Sequence, residues 1–159
     1  MRFTGTADAP SEARLAAFEE YHGVRLPADY RALLTAGNGG VPERTIPRTG
    51  GNERVVERVL AMLDDPATHP LGWAAVDVVM TQVDARLVAD EDGTDAELVP
   101  IMALGGGDML CLDFSLDFRS DAERPPVVLW DHEASDDFAP VMHPVAPDVG
   151  ALLEALEAD

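Results

Sequence analysis

Residues 98–114, LVPIMALGGGDMLCLDF, place the tightest constraint on the fold. Residues 98–104 form a mostly apolar run of strand length, and residues 105–108, GGGD, carry turn chemistry. Residues 109–114 then alternate, with Leu110, Leu112 and Phe114 on one face. Two such runs joined by a short glycine-containing turn make an antiparallel hairpin.

The flanking segments extend this reading. Residues 127–130 form another apolar strand. Val141, His143 and Val145 alternate as one more, and Pro140 and Pro144 assign it to a sheet edge, because proline cannot donate to a ladder. Residues 41–46 read as a short strand and 48–52 as a loop. Residues 55–63 are apolar and ambiguous in period, and they are assigned here to a strand.

Helices surround these strands. Ser11 caps a first helix that carries Leu15, Phe18 and Tyr21, and Gly23 ends it. Pro27 and Asp29 open a second, with an apolar stripe of Tyr30, Leu33 and Leu34 and a stop at Gly37. Residues 73–88 carry Trp73, Val76, Met80, Val83 and Leu87 at helical spacing. Asp148 caps a last helix with Val149, Leu152, Leu153 and Leu156 on one face. The order predicts an α+β fold: a mainly antiparallel sheet with flanking helices. A length of 159 residues and 47% hydrophobic content fit one domain spanning 1–159.

Charge is the unusual feature. The formal net charge is −19, lysine is absent, and all 11 Lys+Arg positions are arginine. Residues 1–63 hold 8 acids and 8 arginines, whereas residues 64–159 hold 22 acids and 3 arginines. Such a field repels nucleic-acid phosphates and anionic membranes and attracts a basic partner. Solubility, a halophilic habit or a GC-rich genome would give the same balance. No apolar run approaches the ~18 residues of a membrane span. The N-terminus lacks a secretion signal, and the single cysteine fits a reducing cytosol, so a cytoplasmic location is expected.

Several chemistries are disfavoured. The glycines of LPADYRALLTAGNGG (26–40) follow a helix, whereas a phosphate loop needs them before one. The acidic segment 90–97, DEDGTDAE, is not a calcium loop: Gly93 falls at its fourth position and Ile101 at its twelfth. Cys111 sits between leucines with no adjacent cation, and reads as a packed residue. No serine elbow or zinc spacing is present. His143 reads as structural, His22 and His69 as surface residues, and Trp73 and Trp130 as core. Gly105–Gly107 could cradle an anion, but Asp108 opposes this. The best catalytic or metal candidate is Asp131-His132-Glu133 at a strand end, joined across the sheet by Asp113 and Asp117. Adjacent strand residues point to opposite faces, which argues against convergence. No cofactor is expected.

Four segments together resemble the SUKH superfamily of Smi/Knr-like proteins: GVRLPADYRALLTAGNGG (23–40), LVPIMALGGGDMLCLDF (98–114), PPVVLWDHE (125–133) and the terminal helix (148–157). The segments 48–64 and 90–97 depart from the family pattern. The resemblance implies a single SUKH-like domain and a non-enzymatic role. Many bacterial members look like immunity proteins that bind and block a cognate toxin, often a nuclease. The family supplies no catalytic residues. The expected partner is therefore a basic toxin domain, with nucleases among the candidates, held through Asp108, Asp113, Asp117, Asp131, His132, Glu133, Asp136 and Asp137. The alternatives are a regulatory scaffold of the Smi/Knr type and a metal-assisted hydrolase built on Asp113, Asp131, His132 and Glu133.

Overall fold

The computed structural model describes residues 1–43, 46–49, 52–89, 91, 97–115 and 124–157. The chain order is β1 (Phe3–Thr4), α1 (Glu12–His22), α2 (Ala28–Gly37), β2 (Val41–Pro42), β3 (Ile46–Thr49), β4 (Asn52–Arg54), β5 (Val56–Val59), α3 (Val76–Val83), β6 (Leu98–Leu104), β7 (Met109–Asp113), β8 (Val127–Trp130), β9 (Met142–Ala146) and α4 (Val149–Glu157). The main sheet is wholly antiparallel in the order β5-β6-β7-β8-β9, and β1-β2 and β3-β4 form two small ribbons. This is the expected α+β architecture.

The glycine hairpin is the middle of that sheet. β6 pairs with β7 from Leu98↔Asp113 to Ala103↔Met109. Every residue of β7 and β8 is buried. Side chains alternate between faces along a strand, so both faces of the sheet are covered at its centre. The core joins these strands to Leu15 and Phe18 of α1, to Tyr30, Leu33 and Leu34 of α2, and to Leu152 and Leu156 of α4. The proline-containing β9 lies at the edge, where a missing donor is tolerated.

Local chemistry fixes the helices. The Ser11 side chain accepts from the Arg14 N–H at 3.1 Å, and Gly23 closes α1 at φ 65°. Asp148 Oδ1 accepts from Ala151 N–H at 2.7 Å, and Asp29 Oδ2 of α2 accepts from Gly150 N–H at 3.1 Å. Two carboxylates therefore serve the α4 N-terminus, where they satisfy orphan donors and complement the helix dipole. Arg14 ties α1 to the rest: its Nε donates to Leu63 O at 2.7 Å, and its guanidinium pairs with Asp77 of α3.

Several expectations change. Val41–Pro42 form β2, and Ile46–Thr49 and Asn52–Arg54 pair as the antiparallel strands β3 and β4, where one strand followed by a loop was expected. Residues 73–88 break into a 3-10 turn (Gly72–Ala74), α3, and a second 3-10 turn (Asp84–Arg86). A Cβ at Gly72 would fall 2.0 Å from Pro66 O, so the chain is pinned there and Ala74 and Ala75 pack inward. That turns Trp73 outward, 65% exposed, with the Arg58 guanidinium 5.0 Å from its ring centroid. Tyr21 is likewise displayed, at 82% exposure, while its neighbour His22 is half-buried against Phe18. The acidic positions 90 and 92–96, and Asp117 within 116–123, lie outside the described residues.

Candidate partner-binding site

The register of β7 and β8 assembles the site. Met109 pairs with Trp130, so the residues just outside that pair, Asp108 and Asp131-His132, meet at one end of the sheet. Asp108 is 8% exposed. Its Oδ1 lies 2.7 Å from His132 Nδ1 and accepts from the His132 backbone N–H at 3.0 Å. With a carboxylate as acceptor, Nδ1 carries the proton. The imidazole covers Gly107, whose φ is 98°; a Cβ there would sit 3.2 Å from three ring atoms. The glycine turn therefore supports a histidine rather than cradling an anion.

The segment after β8 is a held loop. Asp131 Oδ1 accepts from the N–H groups of Glu133 and Ala134, both at 3.1 Å. Ser135 is buried, and its Oγ accepts from Val141 N–H at 2.8 Å. Arg86, at the end of the 3-10 turn Asp84–Arg86, reaches this loop: Nε donates to Ser135 O at 3.0 Å, and the guanidinium also reaches His132 O. It lies 5.1 Å from the Trp130 ring centroid, and Trp130 Nε1 donates back to Arg86 O at 3.0 Å. Phe138 N–H donates to Ala85 O at 2.6 Å. One arginine thus holds the loop by carbonyls and an aromatic face, a fork geometry that lysine could not reproduce.

Asp113 is elsewhere. It ends β7, with its N–H donating to Pro126 O and its Oδ1 accepting from Ser115 N–H at 2.9 Å. Its place in β7 is five positions on from Asp108, roughly 16 Å along an extended strand. The metal-hydrolase arrangement therefore fails on geometry: Asp113 cannot converge with Asp131, His132 and Glu133. Among the described residues, no three His, Cys, Asp or Glu side chains gather as metal ligands. The Cys111 thiol is pushed well up by burial, with a smaller contribution from Asp113, so it stays protonated in the sheet.

The predicted residues thus divide. Asp108 and His132 pair, Asp131 holds its own turn, and Asp113 holds the turn at Ser115. Glu133, Asp136 and Asp137 are exposed on the loop. Sequence reasoning missed Arg86, although it is one of only 3 arginines among residues 64–159, and so scarce a cation there was a usable signal. It also missed Phe138, which is 38% exposed. No pattern in the surrounding residues marks that side chain as displayed.

Among the described residues, no helix is long and apolar enough to cross a membrane. No curated protein shows a significant match to the chain. The sequence model of the SMI1 / KNR4 family (SUKH-1) matches residues 9–155, nearly the whole chain, and the protein therefore belongs to that family.

Proposed function

We propose that this protein is a cytoplasmic, single-domain immunity protein that neutralises a basic toxin domain, such as a nuclease, by covering its active surface. Family membership supports an immunity-type binding role. The observation that carries the electrostatic part is the exposed row Glu133, Asp136 and Asp137 on a loop held at both ends. A nuclease needs a positive groove for phosphates, and an acidic surface competes for that groove. The loop is preorganised, so little ordering entropy opposes binding. Asp108, Asp131 and His132 set the loop's shape, and Glu133, Asp136 and Asp137 face the partner. Asp113 and Asp117 complete the proposed set from the far end of β7 and the segment after it.

Charge reversal tests this reading. Glu133→Arg, Asp136→Arg and Asp137→Arg together remove three acids from exposed positions. The triple variant is expected to fold, to associate with the toxin domain more slowly, and to show a flatter salt dependence of its association rate. An unchanged rate at low salt would exclude this loop as the steering surface.

A further inference from the structure

Phe138 is an exposed large hydrophobic residue. It sits at the tip of a two-residue turn closed by Asp136 N–H to Ala139 O at 3.2 Å and Ala139 N–H to Asp136 O at 3.0 Å. Its φ is 56°, the one positive value at a non-glycine residue among the described residues. Glycine or asparagine would occupy that position with less strain. The residue is 38% exposed, so burial within this chain only partly offsets the conformation. Its surroundings are acidic: Asp136 and Asp137 precede it, Glu133 lies on the same loop, and the bond to Ala85 O brings it beside exposed Asp84. Arg86, the adjacent cation, is turned inward onto the carbonyls of His132 and Ser135.

From this we infer that Phe138 is the apolar anchor of the partner interface: it inserts into a shallow apolar pocket on a basic protein surface while the surrounding acids meet that surface's arginines and lysines. This rests on the immunity reading above and adds the residue that would determine specificity. Long-range charge recruits any cationic surface, whereas an aromatic side chain on a rigid turn accepts only a partner with a matching pocket. Interface energy concentrates in such buried aromatic residues, ringed by polar contacts that exclude water. The partner is thus distinguished from a nucleic acid or a membrane by its charge, and from other basic proteins by its pocket.

The test compares Phe138→Gly and Phe138→Ala with wild type in calorimetric titration against a catalytically inactive form of the adjacent upstream gene's product, the candidate toxin. Glycine relieves the backbone while removing the ring, so F138G is expected to unfold at or above the wild-type midpoint. Both variants are expected to bind at least about tenfold more weakly than wild type, at low and high salt alike. Wild-type affinity in both variants would overturn the assignment of Phe138 and leave the electrostatic reading standing. Failure of wild type itself to bind at low salt would overturn the immunity reading, and the anchor with it.

Discussion

Asp108 Oδ1 receives both the ring Nδ1 and the backbone N–H of His132, at 2.7 and 3.0 Å. A single carboxylate oxygen therefore fixes the rotamer and the path of the residue that follows β8. These two residues, 24 positions apart in the chain, join the segments GGGD and WDHE into one structural unit. Removing Asp108 leaves a half-buried backbone N–H and a ring nitrogen without this acceptor. Asp108→Ala is expected to destabilise by roughly 2–3 kcal/mol and His132→Ala by about 1, since Asp108 keeps the backbone bond in the latter. Urea denaturation of both variants and the double mutant measures the coupling. Additive effects would mean the pair is not cooperative.

Gly107 belongs to the same unit. Its φ of 98° opposes a side chain, and so does the His132 ring, 3.2 Å from where a Cβ would lie. Gly107→Ala is expected to cost at least about 1 kcal/mol from the backbone alone. His132→Ala should relieve only the steric part, which the double mutant reads directly.

Asn38 answers what the Asn-Gly-Gly sequence is for. Its side chain is buried; Nδ2 donates to Asp8 O at 2.8 Å and Met62 O at 2.9 Å, and Oδ1 accepts from Met62 N–H at 2.8 Å. It acts as an added peptide group that joins the N-terminal segment to the chain after β5. Asn38→Ala is expected to lower stability by about 3 kcal/mol, because three backbone groups lose a partner away from water. Asn38→Asp should be nearly as damaging, since it keeps the acceptor but loses both donors.

The two tryptophans make a matched pair. Trp130 is 1% exposed with its indole N–H bonded, whereas Trp73 is mostly in solvent. Trp130→Ala is expected to cost about 3–5 kcal/mol, and Trp73→Ala well under about 1 kcal/mol. Fluorescence quenching by acrylamide checks the same contrast without mutation: one bright accessible component should come from Trp73.

The sheet was most legible in the sequence where periodicity and turn chemistry agreed. Strand β6 between residues 98 and 104, the glycine turn and β8 could be read because apolar strand-length runs were bounded by glycine or charged residues. Trp73 was misplaced because spacing cannot show that Gly72 abuts Pro66 O and pins the chain with Ala74 and Ala75 inward. The β3-β4 pair was hidden because residues 46–54 show no alternation of apolar and polar side chains. Of the site, the residue types were visible but not their division of labour. That division depends on register: Met109 opposite Trp130 brings Asp108 to His132 and leaves Asp113 at the far end. Arg86 joins the loop from the turn after α3, a tertiary contact no local pattern encodes.

His22 gives a pH signature. Half-buried, it has its pKa lowered from 6.5, chiefly by desolvation; Asp77 opposes the shift and Arg14 adds to it. The unfolded chain therefore takes up the proton first, and folding stability falls as pH drops through 6.5. The loss is complete below the folded value and absent well above 6.5. His22→Gln is expected to flatten this part of the stability–pH curve. An identical slope in both proteins, measured by denaturant unfolding between neutral and mildly acidic pH, would show that burial does not disfavour the charged imidazole.

Everything functional here turns on whether this chain binds and covers a basic toxin domain. The decisive experiment is calorimetric titration of the full chain with a catalytically inactive form of the adjacent upstream gene's product, the candidate toxin, repeated across a salt series. One-to-one binding with nanomolar Kd at low salt is predicted, weakening steadily as salt rises. Absence of binding at low salt would contradict the immunity role and favour the scaffold role.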